Sequence, residues 1–169
     1  PRIVRDPARE IGDQRFDRVV GRDVLSAEPA AIEQILAALA PDGRAVFVDT
    51  VPRHAQRLTA LIDADAALRA AEDAVYADPS ELLTAWDAED LAAPLRARGL
   101  RVEVERHTLD GELGITEAMA ARWLDGERCL AARIAAQGGD RAAFAAGVRR
   151  LVGRTVPWRT VVARVVADR

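Results

Sequence analysis

Residues 15–52 read RFDRVVGRDVLSAEPAAIEQILAALAPDGRAVFVDTVP, and this stretch decides the fold. Val19-Val20 is β-branched and follows Phe16, which favours a short buried strand. Ser26 is placed to cap a helix with Pro29 tolerated in its first turn. Ile32, Ile35, Leu36 and Leu39 recur at helical spacing and give that helix one apolar face. Asp42-Gly43 is a turn signal that ends it. Ala45-Val46-Phe47-Val48 is apolar on both faces, as a central parallel strand must be. The unit is strand, helix, strand: one parallel βαβ crossover. The ends of such strands are where open α/β sheets bind ligands.

The same residues resemble the fourth and fifth strands of S-adenosylmethionine-dependent methyltransferases. That family carries "FD-apolar-apolar", a helix, then "L-x-P-G-G-apolar-apolar-apolar". The matching residues are Phe16-Asp17, Val19-Val20, Leu39, Pro41, Gly43 and Ala45 to Val48, with Asp42 in place of the first paired glycine.

Farther along, LAAPLRARGLRVEVE (residues 91–105) resembles the family's joint between last helix and sixth strand. VPWRTVVARVVA (156–167) resembles its seventh strand. The resemblance implies an α/β, Rossmann-like sheet in the order 4-5-7-6, with the last strand antiparallel. Strands are expected near 16–21, 45–49, 101–105 and 157–166. Helical insertions are expected at about 54–86 and 116–152, the first opening as one long helical run from His54 to about Ala77. Asp87, Thr116 and Asp140 are expected helix caps, and Gly99 and Gly153 helix stops. Cys129 is expected inside a helical run.

Composition narrows the function classes. The chain has 169 residues and a net charge of −3, so no basic field points to nucleic acid or a membrane surface. All basic residues other than two histidines are arginine, which excludes a Schiff-base or P-loop lysine. The single cysteine, Cys129, excludes an internal disulfide framework and a cysteine-rich zinc site. No apolar run approaches a membrane span and no signal peptide is visible, so a cytoplasmic location is expected.

The family's glycine-rich first turn and its ribose-binding acid are not seen, and the chain starts at Pro1. The resemblance therefore implies a single partial domain, residues 1–169, whose cofactor-binding half lies upstream. S-adenosylmethionine is expected in the intact protein and not on this chain alone. The expected partner is that unseen N-terminal half, or self-association through the open edge of the first strand.

A narrower resemblance is to a methyltransferase-like domain appended to replication-associated recombination ATPases of the AAA+ class (RarA type). It is carried by Glu72, Tyr76, Asp78-Pro79, Trp86-Asp87, Leu91, Leu95, Gly99, Ile115-Thr116, Arg122-Trp123, Val156 and Trp158. It implies an accessory module of a DNA-maintenance enzyme, without independent activity. The alternatives are a genuine methyltransferase completed upstream, and an unrelated α/β binding domain.

Candidate site residues follow from position. Asp6, just after a possible third strand, stands where the family often places an adenine-binding aspartate; before Pro7 it also fits a turn. Gly21, Arg22 and Asp23 end the first strand of the crossover, where a glycine admits a ligand and an arginine can grip a carboxylate. Asp49 ends the next strand, with His54 beyond it as a general base that Asp49 would orient. Glu72, Asp73 and Tyr76 share a helix face and, with Trp86, could line a pocket in the insertion. Each also has a plain reading, as loop charge, cap or core anchor.

Overall fold

The computed structural model describes residues 13–24, 29–80 and 86–169. Asp6, the possible strand at Pro1 to Val4 and the Ser26 cap lie outside the described residues. The elements are β1 (Phe16–Arg22), α1 (Pro29–Ala38), β2 (Leu39–Thr50), two 3-10 turns (Pro52–His54 and Leu58–Ala60), α2 (Ala66–Ala77), α3 (Ala88–Arg96), β3 (Arg101–Gly114), α4 (Glu117–Leu124), α5 (Leu130–Ala136), α6 (Arg141–Arg149) and β4 (Thr155–Asp168).

The four strands form one sheet in the order β1-β2-β4-β3. β1 and β2 are parallel, and β4 runs antiparallel to β2. β4 thus lies between β2 and β3, as the resemblance implies. β3 and β4 are antiparallel too: Glu105 pairs with Arg164 and Asp110 with Arg159, so partner numbers fall as β3 rises. The parallel β1–β2 pair follows from the helical crossover, which returns the chain to the same end of the sheet.

The chain divides into two compact units. The first holds residues 1–51, 86–107 and 161–169. Its core lies on one sheet face, where Ala45, Phe47, Val161, Ala163, Val165 and Ala167 meet Ile32, Ile35, Leu91 and Leu95. α1 and α3 supply that cover because their apolar residues repeat at helical spacing. Asp87 caps α3 in a reciprocal capping box with Asp90, and Gly99 follows it at φ 81°.

The opposite face of this sheet is another matter. Register places Val20 beside Val46, Arg22 beside Val48, and Val48 beside Arg164. Val46 and Val48 are only partly buried, and Val20 is 78% exposed. A parallel pair is expected to be apolar and covered on both faces. Here the sequence is apolar on both; the described residues bury one throughout, while on the other Val166, opposite Val46, is buried and Val20 is not.

The second unit holds residues 52–85 and 108–160. Both expected helical insertions fall largely within it. Its core gathers Leu58, Leu68, Val75, Leu124, Ile134, Phe144 and Val148. Thr116 and Asp140 cap α4 and α6 as expected. The long helical run expected from His54 is broken: two 3-10 turns precede α2, which starts only at Ala66. Asp65 is the reason at one end, since its carboxylate caps the Leu68 N–H at 2.7 Å. Cys129 likewise stands outside a helix, as the cap of α5, its sulfur donating to the Leu124 carbonyl and accepting from Ala132 N–H. The Asp42-Gly43 turn also moves. α1 stops at Ala38, and Gly43 sits inside β2 where the register with β1 shifts.

Candidate functional site

The C-terminal ends of β1 and β2 lie side by side, and Gly21, Arg22 and Asp23 come together there with Thr50. A Cβ on Gly21 would fall 2.9 Å from Val24 Cγ2 and 3.0 Å from Phe47 Cδ1. The space beside Gly21 is therefore taken by two apolar side chains of the unit's own core. Asp23 adopts φ 50°, a left-handed conformation that aspartate tolerates better than most residues.

Three hydrogen bonds and one ion pair hold Asp23 in that conformation. Its N–H donates to the Val48 carbonyl at 3.0 Å. Its Oδ1 accepts from the Thr50 N–H and the Thr50 hydroxyl, each at 3.1 Å. Oδ2 stands 3.5 Å from Arg22 Nε. Asp23 thus clips the two strand ends together, and the Arg22 side chain, 86% exposed, projects from the clip into solvent. The arrangement offers one open guanidinium at a strand end, suited to an anion. Its carboxylate is engaged in holding the fold.

Asp49 and His54 belong to different units. Asp49 is fully buried on the core face of β2, opposite Ala163 of β4. His54 ends the first 3-10 turn and is exposed. Trp86 packs against the first unit's core, whereas Tyr76 belongs to the second unit.

Glu72, Asp73 and Tyr76 do converge within the second unit. Glu72 is fully buried and accepts from Leu58 N–H at 2.9 Å, Thr59 N–H at 2.8 Å and the Thr59 hydroxyl at 2.5 Å. It thereby satisfies the orphan donors of the second 3-10 turn. Arg57 joins the group, its guanidinium 3.9 Å over the Tyr76 ring and its Nε 2.9 Å from Asp73. Two more donors of Arg57 hold the carbonyls of Ala55 and Arg53. Neither Arg57 nor Thr59 stood out in the sequence, because each acts across 13 to 16 residues with no fixed spacing.

Burial, with the Glu72 carboxylate behind it, pushes the Tyr76 hydroxyl up to about 12, against the opposing pull of Arg57. Burial stabilises the neutral phenol, so this contribution to stability is complete below pH 10 and is lost as pH rises towards 12. Tyr76 is the only tyrosine, so tyrosinate absorbance reports on it alone. A spectrophotometric titration is expected to give one step near 12 in the native protein and about 10 in urea. A native step at 10 would mean the ring is solvated.

Among the described residues there is no group of three or more His, Cys, Asp or Glu that could hold a metal ion. Among the same residues, no helix is long and apolar enough to cross a membrane.

No family model matches the chain, and neither does any curated protein. Among solved structures, the chain is similar to a putative methyltransferase of Bacillus halodurans C-125, at 17% identity over 92% of this chain, with a TM-score of 0.43. It is also similar to the YcgJ protein of Bacillus subtilis, at 14% identity over 93% of this chain, with a TM-score of 0.45. The chain spans 65% of the length of each of these two proteins.

Proposed function

We propose that this chain is the C-terminal part of a methyltransferase-type domain, completed by an upstream half that covers the open sheet face and carries the cofactor site. The observation that carries this reading is the two-sidedness of the first unit. One face is packed under α1 and α3. The other buries Val166 but exposes Val20 and leaves Val46 and Val48 half-covered, although the sequence is apolar on both faces. The strand order β1-β2-β4-β3, with β4 antiparallel, supports the same reading.

The residues at the ends of β1 and β2 do not by themselves make a holder for S-adenosylmethionine. The space at Gly21 is filled by Val24 and Phe47, and the Asp23 carboxylate is committed to Thr50. No step of methyl transfer is assigned to them. Calorimetry tests this part of the reading. Titrating S-adenosylmethionine into this chain is expected to give no saturable heat up to about 1 mM, a free energy weaker than about 4 kcal/mol. Micromolar binding by the chain alone would place the cofactor site within these residues.

A finer reading, in which the domain is an accessory module of a recombination ATPase of the AAA+ class, rests on the sequence resemblance. The residues that carry it are mostly framework: Glu72 clamps a turn, Leu91 and Leu95 sit in the first core, and Trp123 stacks on Trp158 with ring centroids 6.2 Å apart. These are positions of the framework, and the partner is tested by co-purification from the natural source.

A further inference from the structure

On the sheet face turned away from α1 and α3, the register sets Arg18, Val20 and Arg22 of β1 in one line. Beside them on β2 stand Arg44, Val46 and Val48, and beside those on β4 stand Asp168, Val166 and Arg164. All of them belong to the first unit. Cover thins towards β1: Val166 is buried, Val46 and Val48 are half-buried, and Val20 is exposed. The open patch is therefore the β1–β2 pair, a valine step with arginine at either end.

The charges around this patch are unequally matched. Arg44 is held by Asp168 through two hydrogen bonds, at 2.6 and 3.2 Å, and Arg164 by Glu105 at 2.9 Å. Arg22 stands 3.5 Å from Asp23, whose Oδ1 already serves Thr50. The Arg18 guanidinium has no ion pair or hydrogen bond with any described residue. Asp17 and Asp42 line the same hollow as Arg18, yet neither pairs with it. The open side of β1 thus offers two guanidinium groups, one on each side of an exposed valine, and no carboxylate.

We propose that the segment covering this patch is an amphipathic helix that lies along β1 and β2 and presents one acidic residue to Arg18 and another to Arg22. This rests on the upstream half proposed above and names the chemistry of the part that reaches this face. A helix about 10 Å across spans two strands about 4.8 Å apart, and helices are what cover the faces of parallel strands. Four residues of strand carry Arg22 about 13 Å from Arg18. Acidic residues at i and i+7 on one helix face are about 10.5 Å apart, and the long arginine stems take up the difference. Apolar residues at i+3 and i+4 then rest on Val20 and Val46. An arginine covered without a partner is costly, so each needs its own carboxylate. A second copy of this chain does not supply them. Its Asp168 and Glu105 are engaged by Arg44 and Arg164, and its β1 brings the same two arginines.

Zero-length cross-linking tests the proposal. The chain contains no lysine, so Arg18→Lys and Arg22→Lys each introduce one addressable side-chain amine. In a longer polypeptide carrying the natural upstream sequence, a water-soluble carbodiimide joins such an amine to a touching carboxylate. An amide forms, and the water lost converts the carbodiimide to its urea. Peptide mass spectrometry of the two variants is expected to find upstream Asp or Glu partners seven or eight residues apart. Partners two residues apart, partners within residues 13–169 or in a second copy, or no partner would overturn the helix. Thiol labelling of Val20→Cys separates this from the half-domain reading, with the buried Cys129 as the slow reference. The introduced thiol is expected to react at least about 10-fold more slowly in the longer polypeptide than in this chain. Protection without the paired acidic partners overturns the helix and leaves the half-domain reading standing. Equal labelling in the two proteins overturns both.

Discussion

Replacing Glu72 with alanine is expected to destabilise the second unit by about 3–5 kcal/mol, the largest loss for any described polar residue in it. The carboxylate is fully buried and receives three hydrogen bonds, two of them from the N–H groups of Leu58 and Thr59. Leu58 and Thr59 are themselves 2% exposed, so water cannot replace the lost acceptor without opening the turn. Each stranded donor carries its own desolvation cost. Glu72→Gln keeps one acceptor oxygen and is expected to cost about half as much. Thermal melts followed by circular dichroism measure this, and a drop of roughly 10 °C is expected for the alanine variant. A loss below about 1 kcal/mol would mean that the turn finds other partners.

Phe47→Ala is expected to cost the first unit about 3–5 kcal/mol, because a fully buried ring on the central β2 strand leaves a cavity that surrounding strands fill poorly. The position also couples to Gly21, whose hydrogen faces the Phe47 ring edge. Gly21→Ala alone should destabilise by about 1–3 kcal/mol, since the added methyl would fall within 3.0 Å of Phe47 and 2.9 Å of Val24. In the Phe47→Ala background the same methyl enters the vacated space. The double variant should then be more stable than the two single losses added together, a coupling that denaturant titration of the four proteins resolves. Strict additivity would show that Gly21 is constrained by something other than Phe47.

These residues also show how much of the molecule was legible in advance. The βαβ crossover was legible because its periods are local: a β-branched pair, a helical repeat of isoleucine and leucine, then an apolar run. The caps at Asp87, Thr116 and Asp140 were legible for the same reason, as each bonds within three residues. The break in the expected run from His54 to Ala77 was not. The Asp65 cap at one end of it is local, but the two turns before it depend on Glu72 reaching back 13 and 14 residues to Thr59 and Leu58, and such a bond leaves no periodic trace.

Among the site candidates, position was legible and role was not. Gly21 to Asp23 do sit at the end of a parallel strand. That Asp23 would clip Thr50 at a positive φ follows only from how β1 and β2 lie together. Asp49 and His54 are five residues apart in sequence, yet they belong to different units. The apolar character of both faces of β2 was legible, and its incomplete covering gives that pattern its meaning.

Amide hydrogen exchange along β1 tests the half-domain account most directly. Exchange at Arg18 to Arg22 would be measured in this chain and in a longer polypeptide carrying the natural upstream sequence. The account predicts that the edge-facing amides exchange rapidly in this chain and at least about 10-fold more slowly in the longer one, because an added strand gives them partners. Equal exchange in the two proteins would contradict it, for then no upstream segment completes the sheet.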